Sequence, residues 1–397
     1  MHRVTVTRGV VAAASLVLSV LAACSLTVSP GDYAQGGAVD AAAPRPPVPA
    51  GAARVILLAA QRTSFNQDHD DGFAIKETLE GIVQADGTVG QFFYDRAPPV
   101  ETFGYAQATL DNGRLITSAV VAPRRVRAGS PQIAFAPIDT PSGALTNDWS
   151  LLDVDGSVQG RAAVLLVRPS LLVAAGGTES VATEDGGTTA VWNGKVFTAS
   201  VDIEGRKTGG WTPLAGALSG GHGQGRLLVN KDYLYVIGGS SEAGAIDTVD
   251  VARLDGEGKP GAFAATEHLP VPTLLPEVTV AAGRLFAVGG VVGADQLVTA
   301  KVFSAPIKDG DGTVGPWTEG PSLPTSLALG GLLFHKDRLY YFGGIRQTPN
   351  EAGGIPVQDA VDTIYAADVG ADGTLAPWRD VGKLPAPRAG IAAVVLP

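Results

Sequence analysis

A chain that repeats one pattern six times has little freedom in how it folds. Each copy is too small to bury an apolar face alone and must stack on its neighbours. Two markers carry the repeat. The segments Leu323–Gly344 and Leu269–Gly290 align over 22 residues without a gap. Gly-Gly doublets close equivalent apolar runs at Gly176-Gly177, Gly238-Gly239, Gly289-Gly290 and Gly343-Gly344, with degenerate copies at Ala59-Ala60 and Ala119-Val120. A second marker recurs out of phase, usually an acid, then glycine, then an aromatic a few residues on. Its copies are Asp86-Gly87 to Phe92, Ser142-Gly143 to Trp149, Glu204-Gly205 to Trp211, Gly256-Glu257-Gly258 to Phe263, Asp311-Gly312 to Trp317 and Asp372-Gly373 to Trp378.

Between the markers lie apolar runs of four to eight residues rich in Val, Leu, Ile, Tyr and Phe, which predict strands. The acid-glycine marker predicts a tight hairpin turn into an edge strand, with the aromatic ring packing between units. The last unit then has four strands: Leu332–His335, Arg338–Phe342, Ile364–Asp368 and one at Trp378. Glycine (52) and proline (27) are too abundant in 397 residues for a helical bundle, while 45% hydrophobic content argues against wholesale disorder.

Radially repeated four-stranded units are the β-propeller architecture. In its doublets and following aromatics the chain resembles the kelch-repeat family, over about residues 54–397. The resemblance implies an all-β, six-bladed kelch-like β-propeller. The expected domain is 53–397. Its last segment, Arg388–Leu396, reads as an inner strand only, and Arg54–Ala60 as the strand that follows one. Pairing of the two would close the ring, with Phe73–Val83 and Val89–Tyr94 as outer strands.

The N-terminus reads as an address. Arg3 and Arg8 precede an uncharged run, Gly9–Ala23, too short to span a bilayer as a helix but suited to a signal peptide over residues 1–23. Leu21-Ala22-Ala23-Cys24 resembles a bacterial lipoprotein lipobox, which implies cleavage before Cys24 and lipidation of its thiol. Ser25 follows where the resembling lipoproteins carry Asp for inner-membrane retention, so the expected destination is the outer membrane of the cell envelope. Residues 24–52, rich in Pro, Ala and Gly, read as a disordered tether.

A net charge of −10 without clustered cations makes nucleic acid an unlikely partner. Cys24 is the one cysteine, so neither a disulfide within the chain nor a multi-thiolate metal site can form. For the same reason the Tyr–Cys copper chemistry of the kelch enzyme galactose oxidase is excluded. The connections after the doublets are long, Gln61–Gly72, Ala122–Pro131, Thr178–Thr189, Ser240–Ala245, Val291–Gln296 and Ile345–Ala360. They fall on the end of the ring where the inner strands begin, and long loops on a rigid scaffold are where binding is usually built.

On that face the candidate contact residues are Arg124, Arg125, Arg127, His222 and Arg346. Asp68, Asp70 and Asp71 have the oxygen density of a calcium loop, although the following glycine is one position late for an EF-hand. His335, at the end of an apolar strand, reads as structural. No G-x-S-x-G elbow occurs. The expected function is a lipid-anchored binding or scaffolding module for a protein or envelope glycan, with no cofactor; the aspartates read first as solvated loop acids, with a calcium site as the alternative. The alternative is a carbohydrate-active enzyme, because six-bladed kelch-like propellers include a bacterial sialic-acid mutarotase. Its candidate acids and bases are Glu277, Arg226 and Arg388, which enter inner strands at the mouth of the central channel.

Overall fold

The computed structural model describes residues 47–61, 74–95, 104–111, 114–120, 132–139, 144–146, 148–152, 158, 162–168, 170–183, 187–202, 209–293, 297–348 and 357–396. Every regular element among them is a strand; these residues contain no helix. The strands form successive antiparallel meanders, and the fold is an all-β propeller. The third meander runs Ala163–Arg168, Leu171–Ala175, Val196–Ser200 and Thr212–Pro213. The fourth runs Arg226–Asn230, Tyr233–Ile237, Val249–Arg253 and Ala264–Ala265, and the fifth Glu277–Ala281, Arg284–Val288, Val302–Pro306 and Thr318–Glu319. The sixth, Gly331–His335, Arg338–Phe342, Val357–Asp368 and Arg379–Arg388, has much longer outer strands. In the second, Gly104–Asp111, Arg114–Val120 and Gln132–Asp139 are followed by two short strands that both pair with the third.

The first unit joins the two ends of the domain. Ala392–Val395 pairs with Ala53–Gln61, placing Val55 opposite Val395 and Leu58 opposite Ala392. The sheet continues through Ala74–Val83 and Val89–Asp95, the strands expected from sequence. One parallel bridge, Val89 to Gly382, also links its outer strand to that of the sixth unit.

Strands buried on both faces explain the uninterrupted apolar runs. In Val55-Ile56-Leu57-Leu58, Val55 and Leu57 pack with Tyr340 and Phe342 of the sixth unit, whereas Ile56 and Leu58 pack with Leu115 and Ala134 of the second. The other junctions are filled in the same way. Ile116 meets Leu172, Val173 meets Leu227, Tyr235 meets Leu285, and Phe286 meets Tyr341.

The doublets do two things that only glycine permits. Gly289 and Gly290 have φ of +61° and +100°, and a Cβ on Gly289 would stand 2.3 Å from the carbonyl oxygen of Leu327. That close approach lets Gly290 N–H donate to Leu327 O at 3.0 Å, in the segment entering the next unit. Gly177 donates likewise to His222 O and Gly239 to Thr273 O. The alanine copies remain within strands: Ala53–Gln61 continues past its copy with a register shift at Ala60, and Arg114–Val120 ends at the second residue of its own.

The aromatic marker also acts across a junction. Trp378 Nε1 donates to Pro321 O at 3.0 Å and Trp317 Nε1 to Glu267 O at 3.2 Å. Each acceptor lies four residues past the aromatic of the preceding unit. The acid-glycine turns are fixed locally: Asp311 Oδ1 accepts both the N–H and the hydroxyl of Thr313, which holds its carboxyl below the usual range.

Candidate functional site

The strand order gives the propeller two dissimilar poles. One carries the tight turns, at Lys231, Ala282-Gly283 and Lys336, together with the acid-glycine turns. The other carries the doublets and everything that follows them. Sequence reading expects long loops there; the structure shows hairpin arms. Thr178–Ala182 pairs with Thr188–Trp192, Ser240–Ser241 with Gly244–Ala245, and Val291–Val292 with Leu297–Val298. In the sixth unit Ile345–Thr348 pairs with the start of Val357–Asp368, so the strand expected at Ile364 begins seven residues earlier. These segments mix polar and apolar residues without strand alternation, which conceals them in the sequence. The last two arms pack together, with Val298 N–H donating to Gln347 Oε1 at 2.9 Å above Val298, Ala328, Ile345 and Ala389.

At the root of the arm pole lie buried polar groups. Arg226 and Glu277 are the first residues of adjacent inner strands, and each pairs with the residue just before a doublet, Ile237 and Val288. Equal offsets in consecutive units bring them together. The Arg226 guanidinium donates to a Glu277 carboxylate oxygen and, through Nε, to Pro276 O at 3.1 Å. The residues are 3% and 6% exposed, so the pair is shielded from solvent. Burial pushes the Glu277 carboxyl up to about 7, against the opposing pull of Arg226. Tyr341 of the sixth unit lies within range of the pair's charges; its hydroxyl accepts Gly330 N–H at 3.2 Å and is held un-ionised by burial and then by Glu277.

Arg388, expected like these two to enter an inner strand at the channel mouth, is placed differently. It lies four residues before its inner strand rather than at its start, is fully buried, and donates to Pro387 O at 2.9 Å and Tyr94 Oη at 3.2 Å. His222, expected as a surface contact, requires a correction. Its ring is 1% exposed because Asp250 draws it inward: Nε2 lies 3.2 Å from Asp250 Oδ2 and 3.1 Å from Thr248 Oγ1. Ser219 donates its hydroxyl to the same Asp250 oxygen at 3.0 Å. This Asp250 centre was not legible from sequence, since nothing in the spacing of residues 219, 222 and 250 distinguishes it. Gly221 and Gly223 beside His222 are explained by Trp192, which leaves no room for a Cβ at Gly223.

Arg346 is exposed on the arm of the sixth unit, as expected. His335 is partly buried, and burial lowers its pKa ahead of the nearby Lys336. Arg124, Arg125, Arg127, the aspartates Asp68, Asp70 and Asp71, and Cys24 lie outside the described residues. Among the described residues no group of three or more His, Cys, Asp or Glu is arranged to hold a metal ion.

These meanders, arranged with apolar junctions between them, define the chain as a propeller-fold protein. A solved structure described as that of YjhT is similar to it, with a TM-score of 0.52 at 16% sequence identity, covering 74% of this chain and 87% of that one. At that identity the likeness speaks for the fold. No protein-family model matches the chain, and no curated protein matches it.

Proposed function

We propose that this chain is a bacterial lipoprotein whose six-bladed, kelch-like propeller, closed by its own C-terminal strand, binds an envelope macromolecule through the arm pole. In this reading residues 1–23 are the signal peptide, Cys24 carries the lipid, residues 24–52 are the tether, and the outer membrane is the destination. The observation that carries the binding reading is the clustering of hairpin arms on one pole, while the connections at the other are tight turns among the described residues. A rigid ring with several projecting edges of mixed polarity offers a broad surface for a protein or glycan. Calcium at Asp68, Asp70 and Asp71 remains part of the proposal at the same pole.

The test is site-specific photo-crosslinking in intact cells. A crosslinker at Glu179 or Arg346, on the arms, should trap an adduct of one defined mass, and one at Asp255 or Asp309, on the turn pole, should not. Adducts from the turn pole alone would reject the assignment.

The second reading, a sugar mutarotase, draws on the Arg226–Glu277 pair, because a carboxyl near 7 suits proton transfer at neutral pH. It requires a substrate to reach a shielded pair. Exchange between the anomers of sialic acid, followed by NMR, tests it: acceleration by the protein that is lost in Glu277→Gln supports an enzyme, and the uncatalysed rate rejects one.

A further inference from the structure

We infer that the two poles have opposite orientations in the envelope, with the turn pole toward the membrane and the arm pole away from it. This rests on the lipid-anchored reading above and adds to it a membrane-facing surface.

The argument begins where the propeller takes up its chain. Ala53–Gln61 is the second strand of its unit, so it starts at the turn pole, with Ala53 opposite Val83 and next to the Asp86-Gly87 turn. The residues just upstream are tied to that pole. Ala52 N–H donates to Pro49 O at 3.0 Å. Lys336, in the tight turn of the sixth unit, donates its ammonium to Gly51 O at 2.5 Å. A Cβ on Gly51 would stand 3.4 Å from Ala85, in the turn of the first unit. Two turns of different units thus bracket the point where the tether leaves.

Covalent geometry then limits the anchor. From Cys24 to Pro49 the chain spans at most about 90 Å, taking roughly 3.5 Å per residue at full extension. With the turn pole toward the bilayer, none of that length is committed. To turn the arms toward the bilayer, the tether must first run back past the ring. The strand Ala53–Gln61 has nine residues, so this distance is about 30 Å at roughly 3.3 Å per residue. A third of the reach is then consumed and the remaining chain has fewer conformations, which disfavours that orientation.

Because Cys24 is the one cysteine and would be acylated, a second cysteine gives a unique label. The full lipidated chain carrying Asp309→Cys on the turn pole, or Glu179→Cys or Arg346→Cys on the arms, would be fluorescently labelled. Each variant would be reconstituted on vesicles of phosphatidylethanolamine and phosphatidylglycerol bearing headgroup-attached quencher. Quenching should be several-fold stronger at position 309 than at 179 or 346. Equal quenching, or stronger quenching on the arms, overturns the inference while leaving the anchor intact. Vesicle flotation of the same samples separates the two cases: protein that does not float overturns the anchor and the orientation together.

Discussion

The backbone N–H of Gly344 donates to the carbonyl of Arg388 at 2.8 Å. Gly177 makes the same contact with His222, Gly239 with Thr273 and Gly290 with Leu327. Each acceptor lies four residues before an inner strand. For His222, Thr273 and Leu327 that strand belongs to the next unit along the chain; for Arg388 it is Ala392–Val395, at the end of the chain. The C-terminal segment therefore serves the sixth unit as the fourth, fifth and sixth units serve their predecessors. The same doublet geometry that repeats along the chain also joins its ends.

Crowding at the doublets predicts a graded cost of alanine. Gly283 has φ of +70° with open space around its missing Cβ, whereas Gly289 has φ of +61° and the Leu327 carbonyl 2.3 Å away. Gly283→Ala should lose about 1 kcal/mol, the cost of a left-handed L-residue. Gly289→Ala should lose roughly 3 kcal/mol, because the next unit must shift as well. Urea unfolding of both variants measures the difference, and equal losses would contradict the packing account.

The aromatic marker predicts tolerance of phenylalanine but not of alanine. Trp378→Phe removes the hydrogen bond to Pro321 and should cost about 1 kcal/mol. Trp378→Ala also empties a junction shared with Leu323 and Leu327 and should cost about 3–5 kcal/mol. Phe92 and Phe263 at equivalent positions are the natural counterpart of the milder change. Thermal or urea unfolding decides it; similar losses for both substitutions would mean that the indole N–H, not ring volume, holds the junction.

Glu277 makes stability depend on pH with a definite sign. Its carboxyl is raised from 4.5 to about 7 in the folded chain, mainly by burial. Between those values the folded state holds a proton that the unfolded state has released. The group's contribution is therefore full below about pH 4.5 and is lost as pH rises through about 7. Unfolding measured across this window should show stability falling with pH in the wild type relative to Glu277→Gln, with parallel curves counting against it. At pH 7, Glu277→Leu should cost about 3–5 kcal/mol by stranding Arg226, and adding Arg226→Met should recover most of the loss.

The parts of this molecule that repeat were legible in the sequence, and those that occur once were not. Doublets and aromatics recur because each is a contact between neighbouring units, so their positions mark the junctions directly. Arg226 and Glu277 could be placed at the inner-strand starts by their equal distance from a doublet. Tyr341, which feels the pair's charges, could not, because it stands on a different strand of a different unit. Arg388 has the residue type of the pair but the offset of a doublet acceptor, and offset decides where it goes. His222 sits in a glycine-rich stretch that reads as an open loop, yet Asp250, 28 residues on, turns its ring inward. The arms escaped notice because strands such as Ser240–Ser241 are too short to show a period.

Anchoring at Cys24 is the premise on which both the binding reading and the orientation of the poles depend. It is measured most directly by fractionating cells that express the wild-type chain or Cys24→Ser, with mass determination of the mature N-terminus. The wild type should sediment with membranes and begin at an acylated Cys24, and Cys24→Ser should be found in the soluble fraction. A Cys24→Ser chain that stays with the membrane, or a wild-type chain that begins elsewhere without lipid, would contradict it.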